Sequence, residues 1–67
     1  MNIGEKIRKL RKERHLSQTE LAITLNATQD TISLWELGKS LPNILDLAKL
    51  AKLFDVSSDY LIGLSDL

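Results

Sequence analysis

Residues 18–37 read QTELAITLNATQDTISLWEL, and this stretch decides the fold. Ser17 ahead of it, with Glu20 three positions on, forms a capping-box pattern, so a helix starts after Ser17 and places Leu21, Ala22 and Leu25 on its inner face. Asn26 ends that helix, because Asn is one of the few residues other than Gly that tolerates the left-handed conformation needed to turn the chain. Thr28 caps the next helix, in which Ile32 and Trp35 share an inner face at i, i+3 spacing. Gln29, Asp30, Ser33 and Leu34 then point elsewhere. Two helices joined by so short a turn cross steeply, and the second projects its start away from the body of the domain.

Working outward, the same signals predict five helices and no strands. The first runs from about Ile3 to Arg14 with Ile3, Ile7 and Leu10 on one face, and it stops where His15 can take the left-handed conformation. Gly38 closes the third helix, and Lys39, Ser40, Leu41 and Pro42 form a connecting loop. Asn43 caps a fourth helix, with Asp46 in its first turn and Leu47, Leu50, Ala51 and Phe54 as its inward stripe. Ser57 caps a short fifth helix that contributes Leu61 and ends at Gly63. The expectation is one all-α domain over residues 1–67, without repeats, linkers or low-complexity tracts.

Composition narrows what such a domain can do. A chain of 67 residues buries only about 60% of its unfolded surface, which leaves little room for a catalytic cavity. Hydrophobic residues make up 43% and charged residues 27%, ordinary for a globular domain and too apolar for a disordered tail. Without cysteine there is neither a disulfide framework nor a thiolate zinc site, which fits a reducing cytoplasm. No run approaches the roughly 18 apolar residues of a membrane span, and no apolar segment follows the charged N-terminal stretch as an export signal requires. His15 is the only histidine and has no carboxylate at ligand spacing, the serines lie at helix ends or on a helix with no base nearby, and no glycine-rich phosphate cradle is present. No enzyme, metal, cofactor or small-molecule ligand is expected.

Net charge is zero, but the charges are not evenly spread. Six bases and two acids give the first fourteen residues a balance of +4, and three bases and seven acids give the rest −4. A basic pole suits a polyanion and equally suits a solvated helix face. The geometry of the central helix pair is more informative: a helix whose start projects from the domain can enter the major groove of duplex DNA.

From Ile3 to Gly63 the sequence resembles the Cro/C1-type, XRE-like helix-turn-helix domains of phage repressors and their bacterial relatives. The matching residues are Ile3-Gly4 with Ile7, Leu10 and Arg11; Leu16-Ser17-Gln18 through Glu20-Leu21-Ala22; Thr31-Ile32-Ser33 with Trp35-Glu36 and Gly38-Lys39; and Pro42, Leu50-Ala51, Val56-Ser57 and Asp59-Tyr60-Leu61. The resemblance implies a five-helix, lambda-repressor-like domain whose third helix lies in the major groove, acting as a sequence-specific transcriptional regulator, a repressor that occupies a palindromic operator as a homodimer.

It also implies roles for particular residues. Gln29 would read a base, since its amide donates and accepts together at adenine N6 and N7, and Asp30, Ser33 and Leu34 share the base-facing set. Asp30 also suits the positive end of its helix, and Leu34 stands where relatives often carry Arg, Gln or Lys. Gln18, Thr28, Lys39, Ser40, Asn43 and Arg11 would face phosphates, although capping and loop roles account for Thr28, Ser40 and Asn43 as well. Arg11 would also pair with Glu36, locking the reading helix to the scaffold. Leu61, Ile62, Leu64 and Leu67 supply apolar surface for a dimer contact or for core and tail. The alternative from another class is a protein-interaction module, an anti-repressor or antitoxin-like adaptor, to which zero net charge, Asp30 and Leu34 would be suited.

Overall fold

Hydroxyl and amide side chains start four of the five helices in the computed structural model, which describes residues 2–64. In order, α1 spans Ile3–Glu13, α2 Gln18–Leu25, α3 Gln29–Glu36, α4 Ile44–Phe54 and α5 Ser58–Ile62, with no strand among the described residues. Ser17 Oγ accepts from the Glu20 amide at 3.0 Å while Glu20 Oε1 accepts from the Ser17 amide at 2.9 Å, completing the capping box. Thr28, Asn43 and Ser57 each accept from the amide three residues on, at 3.2, 2.8 and 3.0 Å. The two bonds to Ser17 hold the Glu20 carboxyl below its usual range. That contribution is complete above the ordinary carboxylate pKa and disappears as pH falls through the depressed one.

The corners between helices are cut by left-handed residues. His15, Asn26 and Asp55 have φ of 56°, 57° and 55°, and Gly38 and Gly63 have 75° and 87°. The first helix stops at Glu13, one residue before its expected end, because Arg14 already has φ −91° and ψ 4° as the chain enters the His15 turn.

Once the corners are set, the apolar stripes meet. Ile3, Ile7, Leu21, Ala22, Leu25, Ile32, Trp35, Leu50, Phe54 and Leu61 form one buried cluster, with Leu10, Leu47, Ala51 and Ile62 packed against it. Fully burying a side chain of this size contributes about 1.5–3 kcal/mol, so this cluster carries most of the stability. Two lysines fasten the periphery. Lys6 Nζ donates to the Tyr60 carbonyl at 2.7 Å while lying 4.7 Å from the Tyr60 ring centroid, and Lys49 Nζ donates to the Leu25 carbonyl at 3.2 Å, at the negative end of α2.

The expected C-terminal dimer patch loses Leu61 to this packing. Leu61 is completely buried, Ile62 is half-buried against the core and Leu64 is exposed. Leu67 lies outside the described residues.

Asp55 combines a left-handed backbone with an acid at the negative end of α4. Asp55→Gly relieves both and, after glycine's greater unfolded-state entropy is subtracted, should stabilise by about 0.5 kcal/mol, raising Tm by about 2–4 °C. Asp55→Ala relieves only the charge and should lower Tm; calorimetry of both variants checks the ordering.

Candidate nucleic-acid interface

A buried ion pair beneath the helix pair organises this surface. Arg11 on α1 donates from Nε to Glu36 Oε2 at 2.6 Å and from Nη2 to Glu36 Oε1 at 3.0 Å, the bidentate geometry that suits a guanidinium best. Its Nη1 donates to the Leu16 carbonyl at 2.7 Å. The two side chains are 10% and 4% exposed. The hydrogen bond to Glu36 raises the Arg11 pKa further above its ordinary value, against the opposing effect of burial.

From Glu36 the bonding continues outward to the tip of α3. Gln18 Nε2 donates to Glu36 Oε1 at 3.1 Å, and Gln29 Nε2 donates to Gln18 Oε1 at 2.7 Å. An ionised carboxylate only accepts, so the Gln18 amide must turn its nitrogen to Glu36 and its oxygen to Gln29. Gln29 must answer with its own nitrogen. The orientation of both amides thus follows from the charge on Glu36, which Arg11 holds. Gln29 is exposed and keeps its amide oxygen and second N–H unpaired among the described residues.

The remaining residues of the expected site divide by position. Asp30 is exposed in the first turn of α3, where its charge complements the helix dipole. Ser33 is half-buried and Leu34 is 42% exposed. Thr28 Oγ1 is shared between the Thr31 amide and, at 2.9 Å, the Thr31 hydroxyl. Lys39 is exposed and Ser40 half-buried in the loop after α3, while Asn43 is exposed with its Oδ1 engaged in capping α4. None of Lys39, Ser40 and Asn43 joins the bonded set around Gln29.

One of the sequence expectations changes, and Gln18 gains two partners. Arg11 does not belong with the phosphate-facing residues: its guanidinium is committed to Glu36 and Leu16 beneath the surface. The Gln18 side chain lies between Glu36 and Gln29, so its amide nitrogen and oxygen each carry one hydrogen bond within the domain. The start of α2 also presents backbone, since Ser17 caps only the Glu20 amide and the amides of Gln18 and Thr19 have no bonding partner among the described residues. Thr19, exposed beside them, was not anticipated; its place at the second position of a capped helix was the available signal.

No group of three or more His, Cys, Asp or Glu side chains is placed to hold a metal among the described residues, and no helix there is long and apolar enough to cross a membrane.

With an exposed, amide-tipped third helix seated on a second through a capped turn, the chain belongs to the helix-turn-helix family, whose model matches residues 7–61. It is of the Cro/C1 type that the sequence resembled. Over 63 residues it is 38% identical to the HTH-type transcriptional activator BcrR of Enterococcus faecalis, covering 94% of this chain and 31% of that protein. It is 34% identical over 59 residues to the SPbeta prophage-derived HTH-type transcriptional regulator YonR of Bacillus subtilis, covering 88% of this chain and 55% of the relative. The chain thus spans about a third to just over half the length of these curated relatives. Among solved structures, the P22 c2 repressor in complex with a synthetic operator superposes with a TM-score of 0.90 at 32% identity, over 97% of this chain and 98% of that one.

Removing one partner of the buried pair leaves an uncompensated charge, so Arg11→Met should cost about 3–5 kcal/mol in urea unfolding at low temperature. Lys9→Met on the exposed face of α1 should change stability by less than about 0.5 kcal/mol. Equal losses would remove the pair from its structural role. Adding Glu36→Leu to Arg11→Met should recover much of the stability, because no charge is then left buried alone.

Proposed function

We propose that this chain is a sequence-specific double-stranded DNA-binding transcriptional regulator that works in the cytoplasm as a repressor, occupying an operator through the major groove. The observation that carries the reading is the Gln29 amide, fixed in orientation through Gln18 and Glu36 at the exposed start of α3. Its free oxygen and N–H match the donor and acceptor pair on the major-groove edge of adenine. Leu34 on the same helix suits a thymine methyl, Ser33 a neighbouring base edge, and Asp30 the exocyclic amine of cytosine. Backbone contacts come from the free amides at the start of α2, from Thr28 and from Lys39, with Ser40 and Asn43 flanking. The P22 c2 repressor, whose fold this chain shares, is bound to an operator in its own structure.

Two copies on a palindromic site would set their third helices in successive major grooves about 34 Å apart. The homodimer contact falls on the exposed apolar residues after α3, Leu37, Leu41, Ile44 and Leu45, which border the phosphate-facing loop. Replacing Ile44 and Leu45 by Glu should abolish cooperative binding to a two-half-site duplex and leave single half-site binding unchanged. Sedimentation velocity of the complexes reads the difference.

Selection from a random duplex pool, followed by titration across salt, tests the main reading. Gln29→Ala should relax preference at a single position, costing about 1–3 kcal/mol of discrimination there. Lys39→Ala should weaken all sequences alike and reduce the slope of log K against log salt by about 1. α3 carries no Lys or Arg, so affinity should be modest at physiological salt. If no duplex is enriched even at low salt, the protein-interaction module becomes the account of this chain.

A further inference from the structure

We infer that Gly4 is a positioning residue for base reading: it lets α1 abut the backbone at the end of α3, and that contact seats the reading helix. The inference rests on the DNA-binding reading above. Gly4 is buried in the first turn of α1, and a Cβ added there would lie 2.2 Å from the Trp35 carbonyl oxygen and 2.9 Å from that of Glu36. Side-chain carbons do not approach closer than about 3.0 Å, so the first of these gaps must open by at least 0.8 Å. Both obstacles are main-chain atoms, so rotation of a side chain cannot relieve them.

Either α1 or α3 must give way. Lifting the first turn of α1 would draw Ile3 and Ile7, 4% and 0% exposed, out of the core. The end of α3, although it carries the buried Trp35, is followed by a loop whose Leu37, Gly38, Lys39 and Leu41 are all exposed, so the carbonyls of Trp35 and Glu36 have room to shift. Its last residue is Glu36, whose carboxylate orients Gln18 and through it Gln29. Binding constellations tolerate displacements of only about 0.5 Å, and the required opening exceeds that. A methyl group at Gly4 therefore disturbs an amide at the far end of another helix. Helix periodicity and capping do not mark the contact; Gly4 stands out in the sequence only through the family resemblance.

The test uses the whole chain in the Asp55→Gly background, expected to be the more stable, and a 20-base-pair duplex enriched by the unmodified chain. Gly4→Ala is compared with Leu61→Val, a core change in α5, below the temperature at which either begins to unfold. Gly4→Ala should bind at least about tenfold more weakly, and the side-chain amide resonances of Gln18 and Gln29 should move in the DNA-free protein. Leu61→Val should bind within about twofold of its parent with those resonances in place, since a loss of stability alone does not move them. Unchanged affinity and amide shifts, with perturbation confined to residues 2–8, would overturn the inference. So would a Gly4→Ala chain that stays unfolded at 5 °C, because the contact would then hold the domain rather than the reading helix. If the unmodified chain enriches no duplex, the DNA-binding reading falls, and the amide resonances of the free protein still decide whether Gly4 seats α3.

Discussion

Everything at the exposed tip of α3 depends on one carboxylate that cannot donate a hydrogen bond. Glu36 is paired with Arg11 from below, and its carboxylate oxygens, as acceptors, dictate which way two successive amides face. A glutamine on a surface helix ordinarily samples many rotamers and either amide orientation. Here the choice is made before any partner arrives, and side-chain entropy that would otherwise be lost on association is already spent in folding. An arginine on α1, buried beneath the surface, thereby decides the donor and acceptor pattern offered by α3.

The local signals in this sequence are strong wherever a single residue type has few alternatives. Ser17, Thr28, Asn43 and Ser57 cap helices where expected, and His15, Asn26, Gly38 and Gly63 take the left-handed turns. These features depend on chemistry within four residues, so they are readable without knowing the fold. The pairing of Arg11 with Glu36 crosses 25 residues and was anticipated only from family resemblance. Assigning Arg11 to phosphate as well failed because a charged side chain gives no sign of its own burial; only the packing of α1 against α3 shows it. The Gln18–Gln29 bond was missed for a related reason. Each residue reads separately as exposed polar surface, and their meeting depends on the angle between two helices. The C-terminal leucines show the limit from the apolar side, since five residues of α5 are too few for periodicity to tell core from contact surface.

The distribution of charge separates landing from reading. The bases of the N-terminal third lie mostly on the outer face of α1, while α3 offers amide, hydroxyl, carboxylate and isobutyl groups and no cation. In the proposed DNA-binding function, attraction to a polyanion would be diffuse and come from outside α3, while α3 would discriminate through short-range complementarity. Asp30 sharpens the division, since a carboxylate there is repelled by phosphate and tolerable only where a base amine can meet it.

The burial of the Arg11–Glu36 pair has a consequence for the ionic conditions in which such a domain works. Mobile ions screen charges they can surround, and they cannot surround these two. Added electrolyte should therefore shorten the residence of the protein on any duplex while leaving its order of preference among sequences largely intact. Occupancy would vary with the ionic state of the cell, and fidelity would be set by the interior of the protein.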